Sequence, residues 1–441
     1  MFIKARLVLR GYEELKTFRT DSPTCRRESV RIMLTILSSK GWKLQSIDFK
    51  TAYLQGQPIE REIFIVPPKE ADTSQLWQLR KTVYGLSDAP RQWYLSLSKV
   101  LIGLGCNHHS IDHGLFYYHL DDHLIGILLT YVDDLLWGGD ENFNLTVMTE
   151  LRKQFLISHE EETVFTYVGI QLKQYSDFSI SINQSNYIDT LNPITLSDDR
   201  LSDKESSLTT AELKLLRSTV GQLGWVASIT RPDISFLFGS ASSNITRATV
   251  QDILNVNKII RHVKYTKSRI FFAKMSSNMN ELSIIMYSDA SYKNLPDSGS
   301  QGGHIVFLSD GRNCSPLAWH STRVKRIVRS STASELLALL DGCDTAFLMS
   351  RLISEIYTGR RGVSIPIECY TDSKNLFDAA HSTTSISDQK ALVDLSIVRE
   401  QIKNKEIQLK WISNKQQLAD VLTKKGANCD GLLNVLSKGK F

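Results

Sequence analysis

A chain of 441 residues has room for about three ordinary domains, and its 42% hydrophobic and 22% charged residues exclude a disordered or fibrous protein. The formal charge of +5 permits a polyanionic partner without requiring one. Six scattered cysteines without a CxxC pair argue against a disulfide framework, charges at Lys4, Arg6 and Arg10 break up any signal-peptide core, and the longest apolar run, Leu124 to Val132, is far short of the roughly 20 residues of a membrane span. A soluble intracellular protein is expected.

In chain order, alternation predicts a strand over Phe2–Arg10, and the spacing of Val30, Met33, Leu34 and Leu37 predicts a helix over Arg26–Ser39. A strand through QSIDF enters a Gly/Pro turn, and EIFIV is another, closed by Pro67-Pro68. DAPRQWYLSLSKVLIGLG reads as a helix with Pro90 in its first turn and Gly105 beyond its end. Strands LFYYHL, LIGILLTYV and LLWGG follow, then a helix from about Phe143 to Phe155. This mixture describes an α+β domain around an antiparallel sheet. The polar stretch TLSDDRLSDKESSLTT is expected to be a linker or exposed loop, and TAELKLLRSTVGQLGWVASIT and ATVQDILNVNKIIRHVKY to be helices. After a second polar patch, KMSSNMNEL, come strands SIIMYSDASY, IVFLSDG and PLAWHS, and a long helix from Ala333 to Ile356. Strand IPIECYTDS, more helix, strand IQLKWIS and a final helix containing LADVLTK complete the chain.

Strand Leu124–Val132 has an Asp-Asp pair at each end, Asp121-Asp122 and Asp133-Asp134. Asp favours turns for local reasons, but adjacent half-buried carboxylates repel and take up a proton or recruit a cation. Magnesium asks for a few hard oxygen ligands. Asp48, between Ile47 and Phe49 in a strand where an unpaired carboxylate is costly, is the best third ligand. His108, His109, His113, His119 and His123 also gather, yet a strand–turn–strand reading from Leu115 scatters their rings, which argues against zinc.

The blocks SIDFKTAYLQG, TVYGLSDAPRQWY, DHGLFY, LTYVDDLLWGG, YVGIQL, NQSNYIDTL and TVGQLGWVASITRPDISF stand in the order found in reverse transcriptases of copia-type long-terminal-repeat retrotransposons, and the chain resembles a fragment of their Pol polyprotein. The resemblance implies a polymerase fingers and palm over residues 1–200 and a helical thumb/connection region over 201–280. It makes Asp48, Asp133 and Asp134 the catalytic, metal-binding carboxylates, with Asp48 and Asp133 the more direct ligands. Tyr53 stands where relatives carry an aromatic that excludes a ribose 2′-hydroxyl, with an aromatic simply filling the core as the lesser alternative. Arg91 and Gln92 are candidates for the nucleotide or template pocket, and Lys4 and Arg6 resemble fingers cations that meet a triphosphate. Relatives carry further fingers residues before FIKARLVLRGY, and this chain starts inside that block, so supporting strands are expected to be missing.

Residues 281–441 resemble the ribonuclease H-like α/β domain that follows the polymerase in the same elements. There Asp289, Glu335, Asp372 and Asp420 correspond to its Asp, Glu, Asp, Asp set. Each is ordinary alone, Glu335 being explicable by the helix dipole. Arg323, Lys325, Arg326 and Arg329 form either a hybrid-binding patch or a solvated loop. The resemblance implies two Mg2+ ions per active site, with Mn2+ able to substitute. Its partners are an RNA template, a DNA primer, RNA–DNA hybrid and deoxynucleoside triphosphates, with no membrane, and with association into oligomers or with other element-encoded proteins open. Location would be cytoplasmic virus-like particles or the nucleus. Two alternatives stay open: a nuclease whose polymerase is silent, and a domesticated or relic nucleic-acid-binding protein.

Overall fold

A computed structural model describes residues 7–14, 18–71, 74–382 and 389–441, so Lys4 and Arg6 lie outside the described residues. The chain divides into two compact units. One takes in the segment up to Met33, Trp42–Thr163 and Ile356–Gly359; the other takes in Leu34–Gly41, Val164–Glu355 and Arg360–Phe441. Among the described residues no helix is long and apolar enough to cross a membrane.

The first unit is built on a six-stranded antiparallel sheet. In chain order its strands are β1 (Gln45–Phe49), β4 (Asn107–His108), β5 (Leu115–Leu120), β6 (His123–Tyr131), β7 (Asp134–Gly139) and β8 (Ile157–Glu162), arranged as β4-β5-β6-β7-β1-β8; a separate ribbon pairs β2 (Phe64–Ile65) with β3 (Trp77–Gln78). Leu124–Thr130 of β6 are all buried, which is why that strand reads as an unbroken apolar run rather than an alternation. The β5–β6 turn has Asp121 and Asp122 at φ 49° and 60°, the doubly left-handed backbone that matches strand twist in a tight hairpin and that Asp tolerates. That pair is turn chemistry.

The helix Ala89–Gly103 lays Trp93 edge-on against Phe49 and Phe155, both at 5.0 Å between ring centroids. Gly126 and Gly139 are cross-strand partners on β6 and β7, and the Phe143 ring lies over both. A Cβ would come within 2.2 Å of that ring at Gly126 and 2.5 Å at Gly139.

The expected strand at Phe2–Arg10 is absent over Leu7–Arg10, where the backbone instead makes isolated bonds, Leu9 N–H donating to Tyr84 O at 2.8 Å. The expected helix at Phe143–Phe155 is a broken one: Glu141–Phe143 and Thr149–Gln154 flank a π-helical stretch, Asn144–Met148.

The second unit holds two sheets. One is antiparallel, ordered β12-β11-β10-β9, from β9 (Val164–Tyr167), β10 (Ile170–Gln174), β11 (Ile180–Asn183) and β12 (Ile270–Phe272). The helices Thr210–Ile229 and Val250–Tyr265 each start at a capping box, Thr209 with Glu212 and Thr249 with Asp252. They bury Leu216, Leu223, Val226, Ile253, Val256 and Ile260 in one core.

The supposed linker before them is pinned. Arg200, in the short helix Asp198–Ser202, forms a fork to Glu212 with both N···O distances 2.9 Å, and also bonds Ser206 and Ser207. The other sheet comprises β13 (Ser283–Ser291), β14 (Gln301–Ser309), β15 (Cys314–Arg323), β16 (Ile367–Thr371) and β17 (Gln408–Trp411), ordered β15-β14-β13-β16-β17. Strands β13, β16 and β17 run parallel, and the helix Ser331–Thr358 lies between β15 and β16 in the chain.

The expected helix through LADVLTK is only a tight turn, Asp420–Leu422, closed by Leu422 N–H to Ala419 O and Thr423 N–H to Asp420 O; the last helix is Asp430–Lys438.

A buried ion pair ties this unit together. Arg231, 1% exposed, donates to Asp233 at 2.8 and 2.7 Å and to the carbonyls of Val263 and Thr266 at 3.2 and 2.8 Å, while His262 Nε2 lies 3.2 Å from Asp233. Burial pushes the Asp233 pKa up, but the bonds from Arg231 and His262 outweigh it and hold the pKa below the ordinary value. Replacing Asp233 by Ala strands a buried guanidinium and should cost about 3–5 kcal/mol in urea denaturation at neutral pH. Because the folded pKa is depressed, this stabilisation is present above the ordinary Asp pKa and should fade as pH falls through the folded value.

Candidate functional site

Each unit gathers carboxylates at the end of a sheet. In the first, β1 lies between β7 and β8, and the register sets Asp48 opposite Asp134. Residues directly opposite each other project to the same face of a sheet. Asp133 stands in the β6–β7 turn, whose other central residue, Val132, has φ 58°, a left-handed conformation costly for a β-branched side chain. Two bonds over-determine that turn: Trp93 Nε1–H donates to Val132 O at 2.8 Å, and Phe49 N–H donates to Asp133 O at 3.1 Å.

A cleft of about 450 Å3 opens beside the turn, lined by Asp48, Asp133, Ser158, Lys50, Thr51 and Tyr84 among others. The Ser158 hydroxyl donates to the Asp48 carboxylate. Asp134 is half-buried, and desolvation followed by the charges of Asp133 and Asp48 raises its pKa to about 6.

The other expected residues of this unit are placed as follows. Tyr53 is buried, its ring 4.5 Å from that of Tyr84, the residue that lines the cleft. Arg91 pairs with Asp21 at 2.9 Å and donates to its carbonyl at 3.0 Å.

In the second unit, Asp289 lies in β13, Asp372 directly follows the parallel neighbour β16, and Glu335 is the fifth residue of the helix Ser331–Thr358, past the first turn in which the sequence places it. One ligand atom from each of these three lies within 4.8 Å of the other two; among the described residues they are the only such acidic or metal-binding group, and Asp48, Asp133 and Asp134 do not meet that closeness.

Asp289 is 1% exposed. Burial raises its pKa; Lys424 and the Thr423 hydroxyl bond pull it back, and Asp372 and Asp420 push it up. Glu335 is held well above the carboxylate range by burial and by Asp289 and Asp372. Its Oε2 is buried with no hydrogen-bond partner. Asp372 accepts from Gln417 Nε2 at 3.2 Å, and its carbonyl accepts from Trp411 Nε1 at 3.1 Å.

Asp420 stands apart from the close trio and is hydrogen-bonded to Lys424. In the basic loop, Arg323 pairs with Asp297 at 2.5 Å and Arg326 with Asp394, so both cations are already engaged.

An orphaned buried carboxylate oxygen beside two further carboxylates is the donor set of a hard divalent cation. The residues therefore fit Mg2+ or Mn2+. Ser158, Gln417, Thr423 and Lys424 are partners that sequence reading missed. Nothing in ISHEEE or QQLADVLTKK distinguishes them until the register brings them to an Asp.

In metal-free protein, Asp134 binds its proton more tightly folded than unfolded, so it contributes destabilisation that grows as pH rises from the ordinary Asp value to about 6. Asp134→Asn should therefore raise metal-free stability at pH 7.5 by about 1 kcal/mol, allowing for screening at a half-exposed group, and should gain less than the unsubstituted chain when Mg2+ is added. Thermal melts at pH 5 and 7.5 check both.

Residues 2–205 match the family described as reverse transcriptase (RNA-dependent DNA polymerase). The chain is similar to the retrovirus-related Pol polyprotein from transposon RE1 of Arabidopsis thaliana, 28% identical over 442 residues that cover 96% of this chain and 29% of the relative. It is likewise similar to that from transposon TNT 1-94 of Nicotiana tabacum, 24% identical over 96% of this chain and 33% of the relative. It thus spans about a third or less of the length of these copia-type relatives. Among solved structures, the foamy viral protease-reverse transcriptase in complex with RNA/DNA hybrid aligns with a TM-score of 0.47 and 12% identity, over 94% of this chain and 48% of that one.

Proposed function

We infer, from a chain whose residues 2–205 carry a reverse transcriptase domain, that the first unit extends a DNA primer on an RNA template and the second cleaves the RNA strand of the resulting hybrid. The observation that carries this reading is that acidic side chains distant in sequence meet at a sheet end in each unit, Asp48 with Asp133-Asp134 and Asp289 with Glu335 and Asp372. On this reading residues 1–200 act as fingers and palm, 201–280 as thumb and connection, and 281–441 as ribonuclease H.

Phosphoryl transfer asks a protein chiefly for placement and charge neutralisation. Two bound Mg2+ ions would supply a more acidic attacking hydroxyl or water and stabilise the leaving oxygen. Asp48 and Asp133, which line the cleft, would hold them in the polymerase, with Asp134 adding charge. The Ser158 hydroxyl orients one Asp48 oxygen, and the bonds from Trp93 and Phe49 keep the turn from relaxing. Tyr84, packed at a tilt against Tyr53, forms an aromatic wall of the nucleotide site. In the nuclease, Asp289, Glu335, Asp372 and Asp420 would be the ligands, with Gln417 orienting Asp372.

A second reading keeps only the nuclease active. It is favoured by one difference: the Asp289 trio lies within 4.8 Å and the Asp48 trio does not.

The test is extension of a labelled primer on an RNA template with Mg2+, following template cleavage in the same tubes. Asp133→Asn should abolish extension and spare cleavage, and Glu335→Gln should do the reverse, each by at least about a hundredfold. Cleavage without extension in the unsubstituted chain would establish the second reading, and neither activity would refute both.

A further inference from the structure

The acidic cluster of the second unit is not uniform. Lys424 Nζ lies 3.5 Å from Asp289 Oδ2 and is hydrogen-bonded to Asp420 Oδ1, and the Thr423 hydroxyl donates to the same Asp289 oxygen. The turn Asp420–Leu422 makes this possible: Val421 and Leu422 are buried, which directs the two following side chains onto Asp289. On the other side, Asp289, Glu335 and Asp372 converge within 4.8 Å, and Glu335 Oε2 has no partner. One half of the cluster therefore carries a resident cation, and the other half carries an unmet demand for one.

Building on the nuclease reading above, we propose that Lys424 is an internal counter-cation that occupies the Asp289–Asp420 half of the cluster, so that divalent ions enter in two unequal steps. The first ion goes to Asp289, Glu335 and Asp372 and has no side-chain cation to displace. The second, between Asp289 and Asp420, must expel the ammonium group. Lys424 is suited to this, because its side chain is 40% exposed and a four-carbon stem can swing its charge into water at little cost. With the lysine in place, like-charge repulsion over a few ångströms opposes the second ion. The lysine also stabilises the metal-free chain, since Asp289 would otherwise be a buried carboxylate with only a hydroxyl for company.

Mn2+ binding to the full chain tests this, with Asp48→Asn and Asp133→Asn present so that the first unit takes up no metal, and with free Mn2+ followed by electron paramagnetic resonance. One tight and one weak ion are expected. Lys424→Met should tighten the second ion about tenfold and leave the first nearly unchanged, whereas Lys424→Arg, which keeps the charge, should retain the two steps. Without metal, Lys424→Met should melt below the parent, and Mn2+ should close that gap. Should the Met variant fail to fold, Lys424→Gln takes its place in the same titration. A second-ion affinity unchanged by losing the lysine would overturn the proposal while leaving the four-carboxylate site intact. Absence of Mn2+ binding in every variant would overturn the site itself, and the proposal with it.

Discussion

Like charges brought together where water is scarce repel strongly, and both units are arranged around holding carboxylates against that repulsion. The two solutions differ. In the first unit a sheet does the holding: register sets Asp48 opposite Asp134, and a turn fastened by Trp93 and Phe49 carries Asp133. In the second unit three separate elements converge, a strand with Asp289, a helix with Glu335 and a strand end with Asp372, and a lysine and a glutamine come up from the following segment to meet them. The aromatic layer of Phe49, Trp93 and Phe155 under the first site is the other half of its rigidity, because a strained Val132 persists only where its neighbours leave no alternative.

Much of this was legible before any coordinates. Strands β1, β5, β6 and β7, the sheet from β13 to β17 and the long helices follow from periodicity, the helices standing within a few residues of expectation at Arg27–Lys40, Ala89–Gly103 and Thr210–Ile229, whereas β4, the polar β8 and the whole β9–β12 sheet were not anticipated. Asp48 stood out because an Asp between apolar strand neighbours is expensive unless something requires it. The two Asp-Asp pairs could not be told apart locally. The difference is one of backbone, since Asp121-Asp122 takes two left-handed residues and the Val132-Asp133 turn puts its single left-handed residue on a valine.

What stayed illegible depends on long-range pairing. Arg200 reads as one more charge in a polar stretch, and only the fold shows it gripping Glu212. LADVLTK has helical composition, but Gln417 reaches Asp372 and Ser288, and its Oε1 accepts from Ala419 N–H, so the segment closes into a three-residue turn. Lys424 and Ser158 are likewise ordinary in sequence, since a side chain that matters by what lies across from it leaves no periodic trace.

The glycine pair under Phe143 bears on how the first site is assembled. Gly126 and Gly139 face each other across β6 and β7, and the ring that covers them leaves no room for a Cβ at either position. If β6 slid by one residue, Ile125 or Ile127 would lie beneath the ring and the helix could not seat. The ring thus acts as a gauge on the placing of β6, at the far end of the hairpin from the acidic turn. Seating of β6 and placement of the chemistry are in this way assigned to opposite ends of one element.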